Sequence, residues 1–169
     1  MKRMLSVAVI AAMTLGLNAM AQANSTPLVI TRKDSPQVMT LGGGPEGKDG
    51  AALVLSPNKD LPGQGFWLKP VGKPGDKTFN IVSRQNQLCV DVENGSREDG
   101  AAIIQKPCNG ATCQIFRVSD RGPDGHRELR NELSGKCLSA SKGKDAGLIQ
   151  AACNDQDDQR FRISPPRKG

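Results

Sequence analysis

The chain has 169 residues, with five Cys, 19 Gly, 11 Pro, one Trp, four Phe and no Tyr. Beyond residue 23, Gly and Pro make up about a fifth of the residues, against an average of about 12%, which disfavours a helical bundle and points to one domain of short elements and many turns. The formal charge of +6 falls to +4 once Lys2 and Arg3 are set aside, and the remaining bases are interspersed with acids, so a nucleic-acid partner is not indicated.

The chain opens on Met1-Lys2-Arg3-Met4, a mainly apolar run from Leu5 to Leu17, and then Ala21-Gln22-Ala23. A basic start, an apolar stretch too short to span a bilayer and a small-x-small site are the marks of a secretory signal peptide, cleaved after Ala23. Residue 24 is Asn, so no lipid-modified cysteine is offered there. No later segment is long and apolar enough for a membrane span. The expected product is a single domain, residues 24–169, in a secreted or periplasmic setting.

From residue 27 the chain repeats itself. The first unit reads Ile30, then Val38-Met39-Thr40-Leu41, Asp49-Gly50-Ala51, Val54-Leu55 and Gln64-Gly65-Phe66. In the second, Ile81 leads to Cys89-Val90-Asp91-Val92, Asp99-Gly100-Ala101, Ile104-Gln105, Cys108-Asn109 and Gln114-Ile115-Phe116. The third runs from Leu129 through Cys137-Leu138-Ser139-Ala140, Ile149-Gln150 and Cys153-Asn154 to Gln159-Arg160-Phe161, with Asp145-Ala146-Gly147 a loosened copy of the Asp-Gly-Ala step. Each Gln-x-Phe is followed one residue later by an aliphatic: Leu68, Val118 and Ile163. Three units of about 45 residues, near 27–70, 77–118 and 126–163, fill the chain. Within each, short apolar runs alternate with Gly, Pro, Asn and Asp clusters, which predicts about four strands per unit. Twelve strands in three like units suggest a closed, pseudo-threefold barrel, because one unit cannot bury its own apolar face. The tail Pro165-Pro166-Arg167-Lys168-Gly169 is expected to be extended.

Cys-Val-Asp-Val, Gly-Ala-x-Ile-Ile-Gln, Cys-Asn and Gln-x-Phe together resemble the ricin B-type lectin repeat, which has Gln-x-Trp where this chain has Gln-x-Phe. The resemblance implies an all-β fold of the β-trefoil type. The phenylalanines Phe66, Phe116 and Phe161 would fill the barrel centre once per repeat, and each glutamine would tie the preceding turn to backbone groups. Trp67 and Phe79 lie in strand-like stretches and are also expected in packing roles.

Cys89 and Cys108 lie 19 residues apart, Cys137 and Cys153 lie 16 apart, and both pairs occupy equivalent points of two repeats. This register, and the family pattern, predict the disulfides Cys89–Cys108 and Cys137–Cys153. Cys113 is left over, free or intermolecular, and a Cys108–Cys113 link stays open at this stage. No metal or cofactor is expected, since the ligand-type residues are scattered and the one His, His126, lies in a polar stretch. The acidic run Asn154 to Asp158 lacks the spacing of a calcium loop and reads as a solvated hairpin. Asn24-Ser25-Thr26 and Asn94-Gly95-Ser96 fit the N-glycosylation sequon.

A sugar site of this family takes a carboxylate for paired hydroxyls, an amide as donor and acceptor, and an aromatic ring under the pyranose. By the resemblance, repeat 2 supplies Asp91 as carboxylate and Gln105, Asn109 and Gln114 as polar contacts. Repeat 3 supplies a weaker set, Gln150, Asp158 and Gln159, with Ser139 at the carboxylate position. Repeat 1 has Thr40, Leu55 and Gly63 and is vacated. The ring is expected two residues after the strand glutamine, where Pro57, Pro107 and Ala152 stand instead. Asp91 is also placed to cap the turn at Glu93 to Gly95. No nucleophile with a nearby base is evident, so an enzyme is not expected. The expected function is binding of a glycan or glycoprotein, mainly through repeat 2. A protein-interaction module with eroded sugar sites, such as a toxin accessory subunit or an inhibitor, is the alternative.

Overall fold

The computed structural model describes residues 26–44, 47–142 and 147–167. The signal-peptide reading, the Asn24 sequon and the Asp145-Ala146 step lie outside the described residues. The first unit holds β1 (Val29–Arg32), β2 (Gln37–Leu41), β3 (Leu53–Pro57) and β4 (Phe66–Pro70). The second holds β5 (Thr78–Ser83), β6 (Cys89–Val92), β7 (Ile103–Lys106) and β8 (Ile115–Val118). The third holds β9 (Leu129–Asn131), β10 (Cys137–Ala140), β11 (Leu148–Ala151) and β12 (Phe161–Ser164). The chain is a β-trefoil, with four strands per repeat as the turn spacing predicts.

The outer strands of each unit form the barrel. β4 pairs with β5, β5 with β8, β8 with β9 and β1 with β12, all antiparallel. The bridges Leu28–Phe66 and Arg127–Phe161 close the remaining gaps, so no barrel edge stays open. Phe66, Phe116 and Phe161 are each 0% exposed and meet Ile30, Ile81 and Leu129 in the one core. Phe79 is partly buried and packs on that core, while Trp67 is half-buried on β4.

The inner strands make three hairpins, β2–β3, β6–β7 and β10–β11, that cover one end of the barrel. The Asp-Gly-Ala step explains how they dock. Gly50 N–H donates to Gln105 O at 2.7 Å and Gln105 N–H to Ala51 O at 3.0 Å. Gly100 and Gln150 repeat this at 2.8 Å, with Gln150 N–H donating to Ala101 O at 2.9 Å. Each loop thus adds a short ladder to the next repeat's hairpin. The glycine is required because its φ is +79° in Gly50 and +87° in Gly100. Two disulfides form, Cys89–Cys108 and Cys137–Cys153, each tying the start of an inner hairpin to the turn that follows it. Cys113 is unpaired.

Candidate functional site

The turn before each Gln-x-Phe is built three times by one device. Gln114 Oε1 accepts the Asn109 N–H at 3.0 Å and its Nε2 donates to Pro107 O at 3.0 Å. Gln159 makes the same pair with Asn154 N–H and Ala152 O, at 2.9 Å each. Gln64 makes it with Lys59 N–H and Pro57 O, at 2.8 Å each. The three glutamines are at most 1% exposed, and both ends of each buried amide are satisfied by backbone groups of the turn. Their side chains serve the turn, and this fixes the floor on which any ligand would rest.

In repeat 2 that floor carries a charge. Gln114 Nε2 also donates to Asp91 Oδ2 at 2.8 Å, and Asp91 is 6% exposed. The carboxylate opens on a cleft of about 390 Å³ whose walls include Asp49, Asn94, Ile104, Lys106, Asn109 and Cys113. Asp91 is held by Gln114 and neighbours the Cys113 thiol, and among the described residues no bond from it caps the turn at Glu93 to Gly95, which corrects the capping role. Burial, and then the Asp91 carboxylate, push the Cys113 thiol up to about 11, so it stays protonated at neutral pH.

Strand alternation reassigns the rest of the expected set. In the β6–β7 register Asp91 faces Ile104, and Val90 faces Gln105. Successive side chains point to opposite faces, so Asp91, Ile104 and Lys106 share the cleft face while Gln105 turns inward. Gln105 is 1% exposed and its Oε1 accepts from Asn86 Nδ2 at 2.7 Å. Gln150 behaves alike: Ser134 Oγ donates to its Oε1 at 2.7 Å, and its Nε2 donates to Ser96 O and Glu98 O at 2.9 Å. Both strand glutamines therefore pin neighbouring loops beneath the hairpins and do not line a cleft. Gln114 and Gln159 lie behind the clefts in the same sense, while Asn109 and Asp158 line them.

Two cleft residues escaped the motif comparison. Lys106 Nζ lies 3.3 Å from Asp49 Oδ1, and the pair spans the mouth of the repeat 2 cleft. The signal for both was in the sequence: counting by two from Ile104 reaches Lys106, and the Asp-Gly-Ala register brings Asp49 to the next hairpin. Lys106 and Pro107, the residue at the expected ring position, both line the cleft.

The other repeats resolve the same position differently. In repeat 1 Thr40 Oγ1 and Ser56 Oγ lie 2.7 Å apart, and both accept from Gln64 Nε2, at 3.2 and 3.1 Å. The polar side chains there bond one another and nearby backbone groups. In repeat 3 Ser139 Oγ donates to Asp158 Oδ2 at 3.0 Å, so the carboxylate comes from the turn while the strand supplies the hydroxyl. The adjoining cleft, about 490 Å³, is walled by Arg32, Ser141, Lys142, Asn154, Gln156 and the two acids Asp157 and Asp158. Asp157 pairs with Lys33 at 2.9 Å. His126 sits beside Asp124 at 3.4 Å, in a network with Lys33 and Arg160. Among the described residues Glu128, Cys137 and Cys153 come within metal-ligand reach of one another, but the two sulfurs are joined to each other and offer no thiolate.

The profile of the family described as "Ricin-type beta-trefoil lectin domain-like" matches residues 62–147, half of the chain. No curated protein matches. Among solved structures, a designed threefold-symmetric protein, ThreeFoil, is 28% identical with a TM-score of 0.74, covering 81% of this chain and 96% of that one. A Polyporus squamosus lectin, bound to a human-type influenza-binding epitope, is 15% identical with a TM-score of 0.69, covering 82% of this chain. The chain spans about half of that lectin's length, 48%. The Haemophilus ducreyi cytolethal distending toxin is 15% identical with a TM-score of 0.68, with 88% of each chain covered. Among the described residues no helix is long and apolar enough to cross a membrane. The repeat, the closed barrel with its three phenylalanines and the profile match agree: the chain belongs to the ricin-type β-trefoil lectin domain-like family.

Proposed function

We propose that this chain is a secreted or periplasmic, non-enzymatic carbohydrate-binding protein that acts mainly through the cleft of repeat 2. Residues 1–23 are its cleaved signal peptide and 24–169 its single domain. The carrying observation is Asp91, a nearly buried carboxylate oriented by Gln114 at 2.8 Å at the floor of a polar cleft. One oxygen is taken by that amide, and the carboxylate keeps acceptor capacity for a pair of sugar hydroxyls. Asn109 and Lys106 supply further polar contacts on the walls. With no ring under the sugar, affinity rests on hydrogen bonds, which favours weak binding strengthened by multivalent glycans. Two disulfides fit an oxidising compartment.

The test is a glycan array with the wild type and Asp91→Ala. The wild type is expected to select a glycan set, with free sugar competing, and Asp91→Ala to lose it. The unfolding free energy should drop by only about 1 kcal/mol, since Gln114 keeps its bonds to Asn109 and Pro107. Binding that survives in Asp91→Ala contradicts the assignment.

A second reading is favoured by the Lys106–Asp49 ion pair in a cleft whose ring position is taken by Pro107. On that reading the surface docks a protein, as an accessory subunit of a toxin would, and the cytolethal distending toxin shares the fold. A stoichiometric complex indifferent to competing sugars would select it.

A further inference from the structure

We propose that the cleft of repeat 3 takes an acidic saccharide, one that carries a carboxylate or sulfate beside free hydroxyls, and that Arg32, lent by repeat 1, recognises the anion. The proposal rests on the glycan-binding reading above and adds to it a second site of different specificity.

Arg32 pairs with Phe161 across β1–β12, so the end of the first repeat's outer strand lies beside the last repeat's Gln-x-Phe turn. The equivalent positions in the second and third repeats are Ser83 and Asn131, each 1% exposed and satisfied locally. Ser83 Oγ accepts from the Gln85 N–H at 3.1 Å. Asn131 Nδ2 donates to Cys113 O at 2.8 Å, and its Oδ1 accepts from the Leu133 N–H at 3.1 Å. A small polar side chain closes the turn at those two places. Arginine is too long to do so, and at Arg32 the side chain extends into the cleft wall.

Among the described residues no ion pair engages its guanidinium, although Asp157 and Asp158 line the same cleft. Arg32 Nε is buried without a hydrogen-bond partner among the described residues, a state that costs free energy, while the side chain itself lines the cleft. Of the two acids in the cleft, Asp157 is committed to Lys33 at 2.9 Å and Asp158 is held by Ser139 Oγ at 3.0 Å. Lys142 adds a second cation to the cleft lining. The repeat 2 cleft differs in this respect, because its cation, Lys106, is matched by Asp49.

The lining of the cleft asks for a ligand with two kinds of group. Asp158 suits vicinal hydroxyls and repels a bare anion. Arg32 and Lys142 suit a planar or tetrahedral anion, which a guanidinium can hold through parallel N–H donors. A uronic acid or a sulfated sugar carries both groups within one ring.

The experiment is calorimetric titration of the full chain with an oligogalacturonate, a sulfated galactan oligosaccharide and the neutral galactan oligosaccharide of equal length. The acidic oligosaccharides are expected to bind about tenfold or more tightly than the neutral one, with the carboxylated and sulfated arms showing which anion is preferred. Arg32→Gln should remove this preference and leave the weak neutral binding. Lys142→Gln, at an exposed position, should weaken acidic binding in the same direction and stands in for Arg32→Gln if that variant fails to fold. Equal affinity for acidic and neutral chains, or a preference unchanged in folded Arg32→Gln, overturns the proposal. Neutral glycans that bind through Asp91 while acidic ones do not would overturn this site alone. Absence of binding to every saccharide would overturn the glycan reading with it.

Discussion

Repeats 2 and 3 share one buried plan and differ on the surface above it. Beneath, Gln114 and Gln159 hold the same two backbone groups, and Phe116 and Phe161 fill the same barrel with 0% exposure. Above, repeat 2 takes its carboxylate from the strand as Asp91 and places a thiol on the turn, whereas repeat 3 has a strand hydroxyl, Ser139, and a turn carboxylate, Asp158. Repeat 1 has gone further, with Thr40, Ser56 and Gln64 closed on one another. The difference separates two demands. Buried polar groups must be satisfied wherever the fold is repeated, while groups at the cleft answer only to a ligand.

The shared half is tested first and most strongly. Phe116→Ala and Phe161→Ala should each cost about 3–5 kcal/mol in denaturant unfolding, because each empties an equivalent place in one core. Very unequal losses would break the equivalence. Removing one disulfide, as Cys89→Ser with Cys108→Ser or Cys137→Ser with Cys153→Ser, should cost about 3 kcal/mol in either repeat, since the loops closed are of similar length, 19 and 16 residues.

The divergent half predicts smaller, unequal effects. Gln159→Leu should cost about 1–3 kcal/mol by leaving the Asn154 N–H and Ala152 O unpaired. Gln114→Leu should cost more, because Asp91 also loses its donor. Equal costs would mean that Asp91 does not depend on Gln114.

Acid titration probes the side of the molecule next to repeat 3. The Asp124 carboxyl is held down from its ordinary 3.8 to about 2, first by the His126 N–H and then by Lys33. Lys33 likewise lowers Asp157. Values depressed in the folded state stabilise the fold fully above the ordinary carboxylate range. That contribution is lost as pH falls through 3.8 toward about 2. Lys33→Met should flatten this limb of the stability curve. Glu128 has the opposite sign, raised by burial and then by Asp155, so its favourable contribution is present at low pH and fades as pH rises through its folded value. The smallest effect is chemical: Cys113 should alkylate slowly at pH 8, and faster in Asp91→Ala, which removes one cause of its raised pKa.

Much of the fold was legible because the repeat is written in residues that cannot be exchanged freely. Gln-x-Phe couples a core volume to a turn's hydrogen bonds, and the Asp-Gly-Ala step needs a glycine at positive φ, so spacing alone aligned the three units and their strands. The site was less legible. Motif matching grouped Gln105 with Asp91, but residues one step apart across a strand pair face opposite ways, and Gln105 and Gln150 went to the loops beneath the hairpins. Arg32 was not visible as a cleft residue, because its neighbour is the last strand of the chain, and only the closure of the barrel brings β1 to β12.

The central claim is that the Asp91 cleft receives a glycan. Its most direct test is backbone amide NMR of the 15N-labelled chain during titration with the best ligand from the array. Shifts are expected to cluster at Asp49, Asn94, Lys106, Asn109 and Cys113 and to be absent in Asp91→Ala. Shifts that leave this cleft untouched, or that persist in Asp91→Ala, would contradict it.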